Sequence, residues 1–152
     1  MNIAVIGGGI NGLCCAWQLA SEGVKVTLFE KNKIMSQTSS ASSKLLHGGL
    51  RYLENFDFNL VNESLRERNW WLENVPELTN KINMILPIYK DGPRSKWMIK
   101  IGLTLYDILS GRGNISKHKW LSKNDMRELC PDLISDNLIG GFQFSDGQMD
   151  DY

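Results

Sequence analysis

Nothing in this sequence supplies a disulfide framework. Its 152 residues hold three cysteines, two of them adjacent as Cys14 and Cys15. Such a set suits a reducing compartment, where free cysteines behave as small core residues. Histidine is scarcer still: His47 and His118 have no Cys or His neighbour at a ligating interval, so no metal site is expected. Net charge is missing as well. Seventeen basic residues balance seventeen acidic ones, which removes any general attraction to nucleic acid or to an anionic surface. No apolar run reaches the roughly 20 residues that a spanning helix needs, and no internal repeat is present. Met1 leads into an apolar run rather than a signal peptide, so a cytoplasmic chain is expected. The length suffices for one domain and is too short for two.

Glycine, by contrast, stands where it carries meaning. Asn2-Ile3-Ala4-Val5-Ile6 is a short apolar run that predicts a buried parallel strand. Gly7, Gly9 and Gly12 follow at once in the spacing G-x-G-x-x-G. In that pattern Gly7 permits a tight strand-to-helix turn, Gly9 lets backbone approach a pyrophosphate, and Gly12 lets the helix pack close to the strand. The helix start, at Ile10 and Asn11, then presents unpaired N–H groups and a positive dipole end to the phosphates. Such a spacing arises by chance in roughly one chain in twenty of this length at ordinary glycine usage, so context decides. A strand precedes it. A helix from Ile10 to about Glu22 follows, with Leu13, Trp17 and Ala20 facing a sheet, small Ala16 for close packing, and Gly23 at the C′ position. A second strand, Val24 to Phe29, ends in Glu30, within about 20 residues of the glycines, where a ribose-binding acid belongs. The stretch reads as a dinucleotide site.

Beyond the polar loop at Lys31 to Ser36 comes a hydroxyl-rich run, Thr38-Ser39-Ser40-Ala41-Ser42-Ser43. It leads into Lys44-Leu45-Leu46-His47-Gly48-Gly49-Leu50-Arg51-Tyr52. A serine cluster alone reads as a flexible linker. The mixture of apolar, glycine, cationic and aromatic residues after it, without helical or strand period, favours a segment lying along a ligand. Asp57 to Val75 reads as a helix capped by Asp57, with Val61, Leu65, Leu72 and Val75 on one face and Pro76 as its stop. Trp70 and Trp71 read as aromatic anchors between helix and sheet, in preference to a ligand-stacking pair. Ile82 to Tyr89 suits a strand with Ile82, Met84, Leu86 and Ile88 on one face, and Pro87 argues for an edge position. Trp97 to Leu109 is apolar nearly all round and reads as a mostly buried helix. A basic edge of Arg94, Lys96 and Lys100 carries the alternative of a membrane-surface helix. Ser122 reads as the N-cap of a short helix bearing Met126 and Leu129 and halted by Pro131. Leu138 to Ser145 reads as a half-buried strand with Phe142 and Phe144 on its covered face.

The glycine motif together with Thr38 to Glu54 resembles the flavin-dependent glycerol-3-phosphate dehydrogenases, within the FAD-dependent oxidoreductases of the D-amino-acid-oxidase type. The similarity continues through Pro93 to Asp107 and Phe142-Gln143-Phe144-Ser145-Asp146-Gly147. It covers essentially this whole chain but only an amino-terminal part of such an enzyme. The resemblance implies an α/β fold: a Rossmann-type FAD-binding βαβ start joined to part of an antiparallel-sheet substrate region, as an incomplete domain. Residues 1–54 would supply the dinucleotide- and flavin-binding segments, and residues 55–152 the helices and strands of the substrate or cap region. A long helix is expected to begin near Asp150 to Tyr152. The remaining cofactor strands, a second substrate arginine and a lysine near the flavin lie in sequence this chain lacks, so the missing carboxy-terminal half is an expected partner.

The implied cofactor is FAD, with no metal. The implied reaction is oxidation of glycerol 3-phosphate to dihydroxyacetone phosphate by hydride transfer to flavin. Electrons pass on to quinone, with a possible peripheral contact on the cytoplasmic face of a membrane and no nucleic-acid partner. By the same resemblance the cofactor set is Gly7, Gly9, Ile10, Asn11, Gly12, Glu30, Lys31, Thr38, Ser39, Ser42, Ser43, Lys44, Leu45, His47, Gly48 and Gly49. The catalytic set is His47, Arg51 and Tyr52. Arg51 offers the fixed paired donors that suit a phosphate, against the plainer role of an ion pair with Glu54. His47 reads either as part of the flavin wall or as an acid or base. Two rival readings stand beside this one: a related FAD oxidase that uses oxygen, and a non-catalytic nucleotide-binding remnant or half of a split enzyme.

Overall fold

The computed structural model describes residues 1–134 and 136–150. Asp151 and Tyr152, where the long helix is expected to start, lie outside the described residues. The chain divides between Ser43 and Lys44 into two compact units.

In the first unit, strand β1 (Asn2–Ile6) pairs in parallel with β2 (Lys25–Phe29), in register from Asn2 opposite Lys25 to Ile6 opposite Phe29. Helix α1 (Ile10–Ser21) connects them, the βαβ start that the glycine spacing predicts. The helix ends in a Schellman motif. Gly23 takes a φ of 76°, its N–H donates to the Ala20 carbonyl, and the Val24 N–H donates to the Leu19 carbonyl, each at 3.0 Å. Two expectations are corrected. β1 is not buried on both faces: Ile3 and Val5 are half-covered, while Ala4 and Ile6 point outward, Ile6 88% exposed. Trp17 and Ala20 are exposed too, and Gly12, Leu13, Ala16 and Leu19 form the covered side of α1. The physical reason is that one helix within the unit covers one face of a two-stranded sheet.

The second unit is built on β6 (Leu138–Met149). It pairs antiparallel with β4 (Thr79–Tyr89) along its length, with β3 (Leu45–Leu46) near its end, and with β5 (Lys119–Leu121). Pro87 fits because β4 is an edge strand among the described residues. Helix α3 (Lys96–Ser110) packs over one face, where Leu103 joins Ile88, Phe142 and Phe144. Helix α4 (Lys123–Leu129) covers the other through Met126, with Leu121 and Leu138. β6 is therefore buried on both sides and longer than expected, not half-buried. A third cluster, Leu53, Val61, Leu65 and Tyr106, joins α3 to helix α2 (Phe58–Asn74) and to a 3-10 helix at Leu50–Asn55.

Local signals place the helix starts. The Asp57 carboxylate accepts from the Leu60 N–H at 3.2 Å. Ser122 and Asp125 form a reciprocal capping box on α4. The covered stripe of α2 runs Val61, Leu65, Arg68, the last of these a buried cation that the periodicity does not announce. Trp70 is 40% exposed and Trp71 half-buried, their rings edge-on with centroids 5.2 Å apart. The expectation of a mostly buried α3 fails. Leu103, Tyr106 and Ser110 are buried, but Trp97 and Ile108 are each 67% exposed and Met98 and Ile101 are also exposed. An apolar helix laid on a single sheet face covers one side only. No helix among the described residues is long and apolar enough to cross a membrane.

The cores also separate two residues that the sequence pairs on α4. Met126 is fully buried, whereas Leu129 is exposed. Met126→Ala is expected to cost about 2–5 kcal/mol, and Leu129→Ala to stay within about 0.5 kcal/mol of the parent. Denaturant unfolding of the two variants checks this, and equal costs would contradict the placement of α4.

Candidate functional site

The first unit gathers the glycines, Glu30 and Ser39 around the start of α1. Gly9 is the N-cap residue, in extended backbone and without a side-chain cap, and no acidic residue follows in the first turn. The positive end of the helix therefore lacks an internal counter-charge. The Ile10 N–H donates to Ser39 Oγ at 3.0 Å, which brings one hydroxyl of the serine run to this end. At Gly12 any Cβ would collide with the Gly7 carbonyl oxygen, the close approach expected of the third glycine.

Glu30 closes the site from the end of β2. Its Oε2 accepts from the Gly8 N–H at 2.6 Å and its Oε1 from the Asn32 N–H at 2.8 Å. These bonds, that of Gly8 foremost, hold its carboxyl below the ordinary range. Each oxygen keeps a lone pair for a further donor. Gly8 itself was passed over by the spacing argument. It is buried beneath the Glu30 side chain, and the run of three consecutive glycines is the signal that could have found it. The serine run folds into successive turns, with the Ser40 N–H on the Gln37 carbonyl and the Ala41 N–H on the Thr38 carbonyl. Asn11, Lys31, Thr38, Ser42 and Ser43 are exposed in this unit.

The second unit holds the rest of the expected site on one continuous loop. Lys44 has a left-handed φ of 58°, and its carbonyl accepts from the Met149 N–H at 2.8 Å. Leu45 and Leu46 pair with Gln148 and Gly147. Past the strand, His47 is exposed and Gly48 and Gly49 are buried. Gly49, at a φ of 73°, starts the 3-10 helix, on which Arg51 is exposed and Tyr52 packs against the Leu53 cluster. The Glu54 carboxylate is taken by Arg94, through both Nε and Nη2, and that partner lowers its pKa. The Arg51 charge contributes to the same lowering from a distance, and Arg94 is the hydrogen-bonded partner.

Beneath the loop lies a buried polar network. The Gly48 N–H donates to Tyr106 Oη at 2.8 Å, with a longer contact of 3.3 Å to Asp146 Oδ1. Tyr106 Oη in turn donates to Asp146 Oδ2 at 2.9 Å. Arg68 Nη1 meets Asp146 Oδ1 at 3.0 Å, while its other nitrogens donate to Asn69 Oδ1 and to the Gly113 carbonyl. Burial first, and the Asp146 charge next, raise the Tyr106 pKa, so its hydroxyl stays protonated and donating. Sequence reasoning named none of Arg68, Tyr106 or Asp146 as site residues. A cavity of about 390 Å3 in the same unit is lined by Lys96, Trp97, Lys100, His118, Trp120 and Phe142. In it Lys96 Nζ lies 3.5 Å from the Trp120 ring centroid, and His118 Nδ1 lies 2.7 Å from Asp107 Oδ2.

Comparison with known proteins follows the same lines. Residues 2–152 match the family DAO, described as FAD dependent oxidoreductase. A glycerol-3-phosphate dehydrogenase of Synechocystis sp. is 44% identical over 149 residues, which make up 98% of this chain and 27% of that protein. A D-erythritol 1-phosphate dehydrogenase of Brucella abortus is 41% identical over 150 residues, 99% of this chain and 29% of that protein. Among solved structures, a glycerol-3-phosphate dehydrogenase from Bacillus halodurans complexed with FAD superposes with a TM-score of 0.65 at 27% identity. That superposition covers 99% of this chain and 22% of the other. The chain thus spans little more than a quarter of the length of the curated relatives it matches.

The Glu30 geometry makes a pH-dependent prediction. A carboxyl whose pKa is lower folded than unfolded stabilises the fold above its unfolded value, and that contribution is lost as pH falls through the folded value. NMR titration of the Gly8 and Asn32 amide resonances should therefore give a midpoint below the roughly 4.3 of a free glutamate. Glu30→Gln should abolish the step. A midpoint at or above the free value would contradict the two-amide grip.

Proposed function

The chain belongs to the FAD dependent oxidoreductase family, and from that membership we propose that it is part of an enzyme oxidising glycerol 3-phosphate to dihydroxyacetone phosphate, with quinone as the final electron acceptor. The observation that carries the substrate reading is the 44% identity to a glycerol-3-phosphate dehydrogenase, spread across 98% of this chain.

The residues present fit FAD. The start of α1 carries no side-chain cap of its own and no acidic residue in its first turn, so its positive end suits a pyrophosphate beside Gly7, Gly9, Ile10, Asn11 and Gly12, and the missing Cβ at Gly12 lets that helix end sit against the Gly7 carbonyl. Glu30, with Lys31 beside it, accepts from the adenosine ribose hydroxyls, and its charge disfavours a 2′-phosphate. Thr38, Ser39, Ser42, Ser43, Lys44, Leu45, His47, Gly48 and Gly49 are the segment assigned to the flavin side. Bound FAD would supply the hydride acceptor that oxidation of a secondary alcohol requires.

The chain's own residues bind and orient the substrate. Arg51, exposed beside a Glu54 whose hydrogen-bonded partner is Arg94, would direct paired donors at a phosphate dianion. Tyr52 flanks it on the same 3-10 helix. His47 would line the flavin, and accepting the substrate's hydroxyl proton is the second role open to its imidazole. The Brucella abortus relative acts on a longer phosphorylated polyol, which favours one alternative: the same phosphate anchor serving a four-carbon substrate.

Anaerobic addition of glycerol 3-phosphate to the flavin-loaded full-length enzyme that contains this chain should bleach the flavin bands. Arg51→Ala should raise KM for it about 10- to 100-fold, the equivalent of one charge-assisted contact. Bleaching by D-erythritol 1-phosphate alone would transfer the assignment to that substrate. Bleaching by neither would overturn the reading.

A further inference from the structure

The loop from His47 to Tyr52 is exposed at the two residues expected to meet ligands, His47 and Arg51, yet its backbone is anchored in the core. We propose that Tyr106, Asp146 and Arg68 are positioning residues: a buried latch that fixes the peptide at Gly48 and, through it, the direction in which His47 and Arg51 are presented. The functional part of this inference rests on the substrate reading above; the latch itself does not.

Three observations carry it. First, the seat is shaped for glycine alone, because a Cβ at Gly48 would collide with Leu65 and with the Tyr106 hydroxyl. The peptide is thus pressed against the tyrosine rather than merely near it. Second, the hydrogen-bond order is fixed from end to end. Tyr106 accepts from the Gly48 N–H and donates to Asp146, and Asp146 also receives Arg68. A tyrosine hydroxyl has one proton; spent on Asp146, it leaves only lone pairs toward Gly48. Third, the ends of the network lie far apart in sequence. Gly48 and Asp146 are 98 residues apart, Gly48 and Tyr106 are 58 apart, and Arg68 and Asp146 are 78 apart. The sheet does not require the network for its own ladder, since β3 already ends at Leu46. What the network adds is a fixed exit direction for the chain beyond that strand. A buried, fully partnered polar network of this kind specifies geometry more than it adds stability.

The test is Tyr106→Phe, which keeps the ring and its packing and removes the hydroxyl. Met126→Leu, in the separate core under α4, serves as a control for general loosening. Amide hydrogen exchange is read across residues 44–56 in the flavin-loaded protein, or in the protein as purified if it holds no flavin. We expect exchange at Gly48 to quicken at least about fivefold in Tyr106→Phe, the equivalent of one lost hydrogen bond, with the sheet amides of β4 and β6 unchanged. In the full-length enzyme that contains this chain, KM for glycerol 3-phosphate should rise by a similar factor while kcat falls less. Met126→Leu should do neither. Unchanged exchange at Gly48, or equal quickening throughout the unit, would overturn the latch. Local quickening without turnover of any phosphorylated polyol by the parent full-length enzyme would leave the latch standing and remove the substrate reading instead.

Discussion

A single buried carboxylate fixes how four elements of the second unit meet. Asp146 sits near the carboxy-terminal end of β6, 2% exposed, where an unpaired charge would cost several kcal/mol. Its oxygens are satisfied by the Arg68 guanidinium, the Tyr106 hydroxyl and the Gly48 N–H. The donors come from α2, α3 and the glycine loop, so three elements must all be in place before the charge on a fourth is accommodated. Removing one partner leaves the others buried without a match, which makes the network cooperative rather than a sum of contacts. Arg68 tolerates the same burial because Asn69 and the Gly113 carbonyl take its remaining donors.

Glu30 does a related job in the first unit under different electrostatic conditions. It also fixes a glycine peptide, that of Gly8, at the mouth of an expected ligand site. It lies at the surface, however, where water screens the charge and leaves the carboxylate able to exchange or add partners. A rigid anchor under the loop bearing Arg51 and an adaptable acceptor beside the α1 terminus suit their assigned tasks: presenting a side chain in one direction, and receiving ribose hydroxyls.

What was legible in the sequence is what short-range chemistry decides. The β1–α1–β2 order, the Schellman ending at Gly23, the caps at Asp57 and Ser122 and the edge position of Pro87 each follow from residues within a few positions of one another. The family resemblance was legible too, through the run from Thr38 to Glu54. Burial was less so, because it depends on which layers exist. α3 is apolar on a side that nothing in its unit covers, and β6 is covered on both faces by helices whose placement on it no local pattern announces. The latch was invisible for a different reason. Arg68 reads as one more charge on a charged helix, Tyr106 as one more apolar position, and Asp146 as the residue just past an expected strand that ends at Ser145. Only the antiparallel register that sets Leu46 opposite Gly147 brings the neighbouring Gly48 and Asp146 together.

Family membership carries the proposal that the glycines and Glu30 of the first unit meet FAD. The most direct measurement is the absorbance spectrum of the protein after incubation with FAD and removal of free nucleotide, in parallel with Gly12→Val. Flavin bands retained by the parent and lost in the variant, with NADP+ failing to compete, are the predicted result. A parent that returns colourless from desalting, or a Gly12→Val variant that retains flavin as well as the parent does, would contradict it.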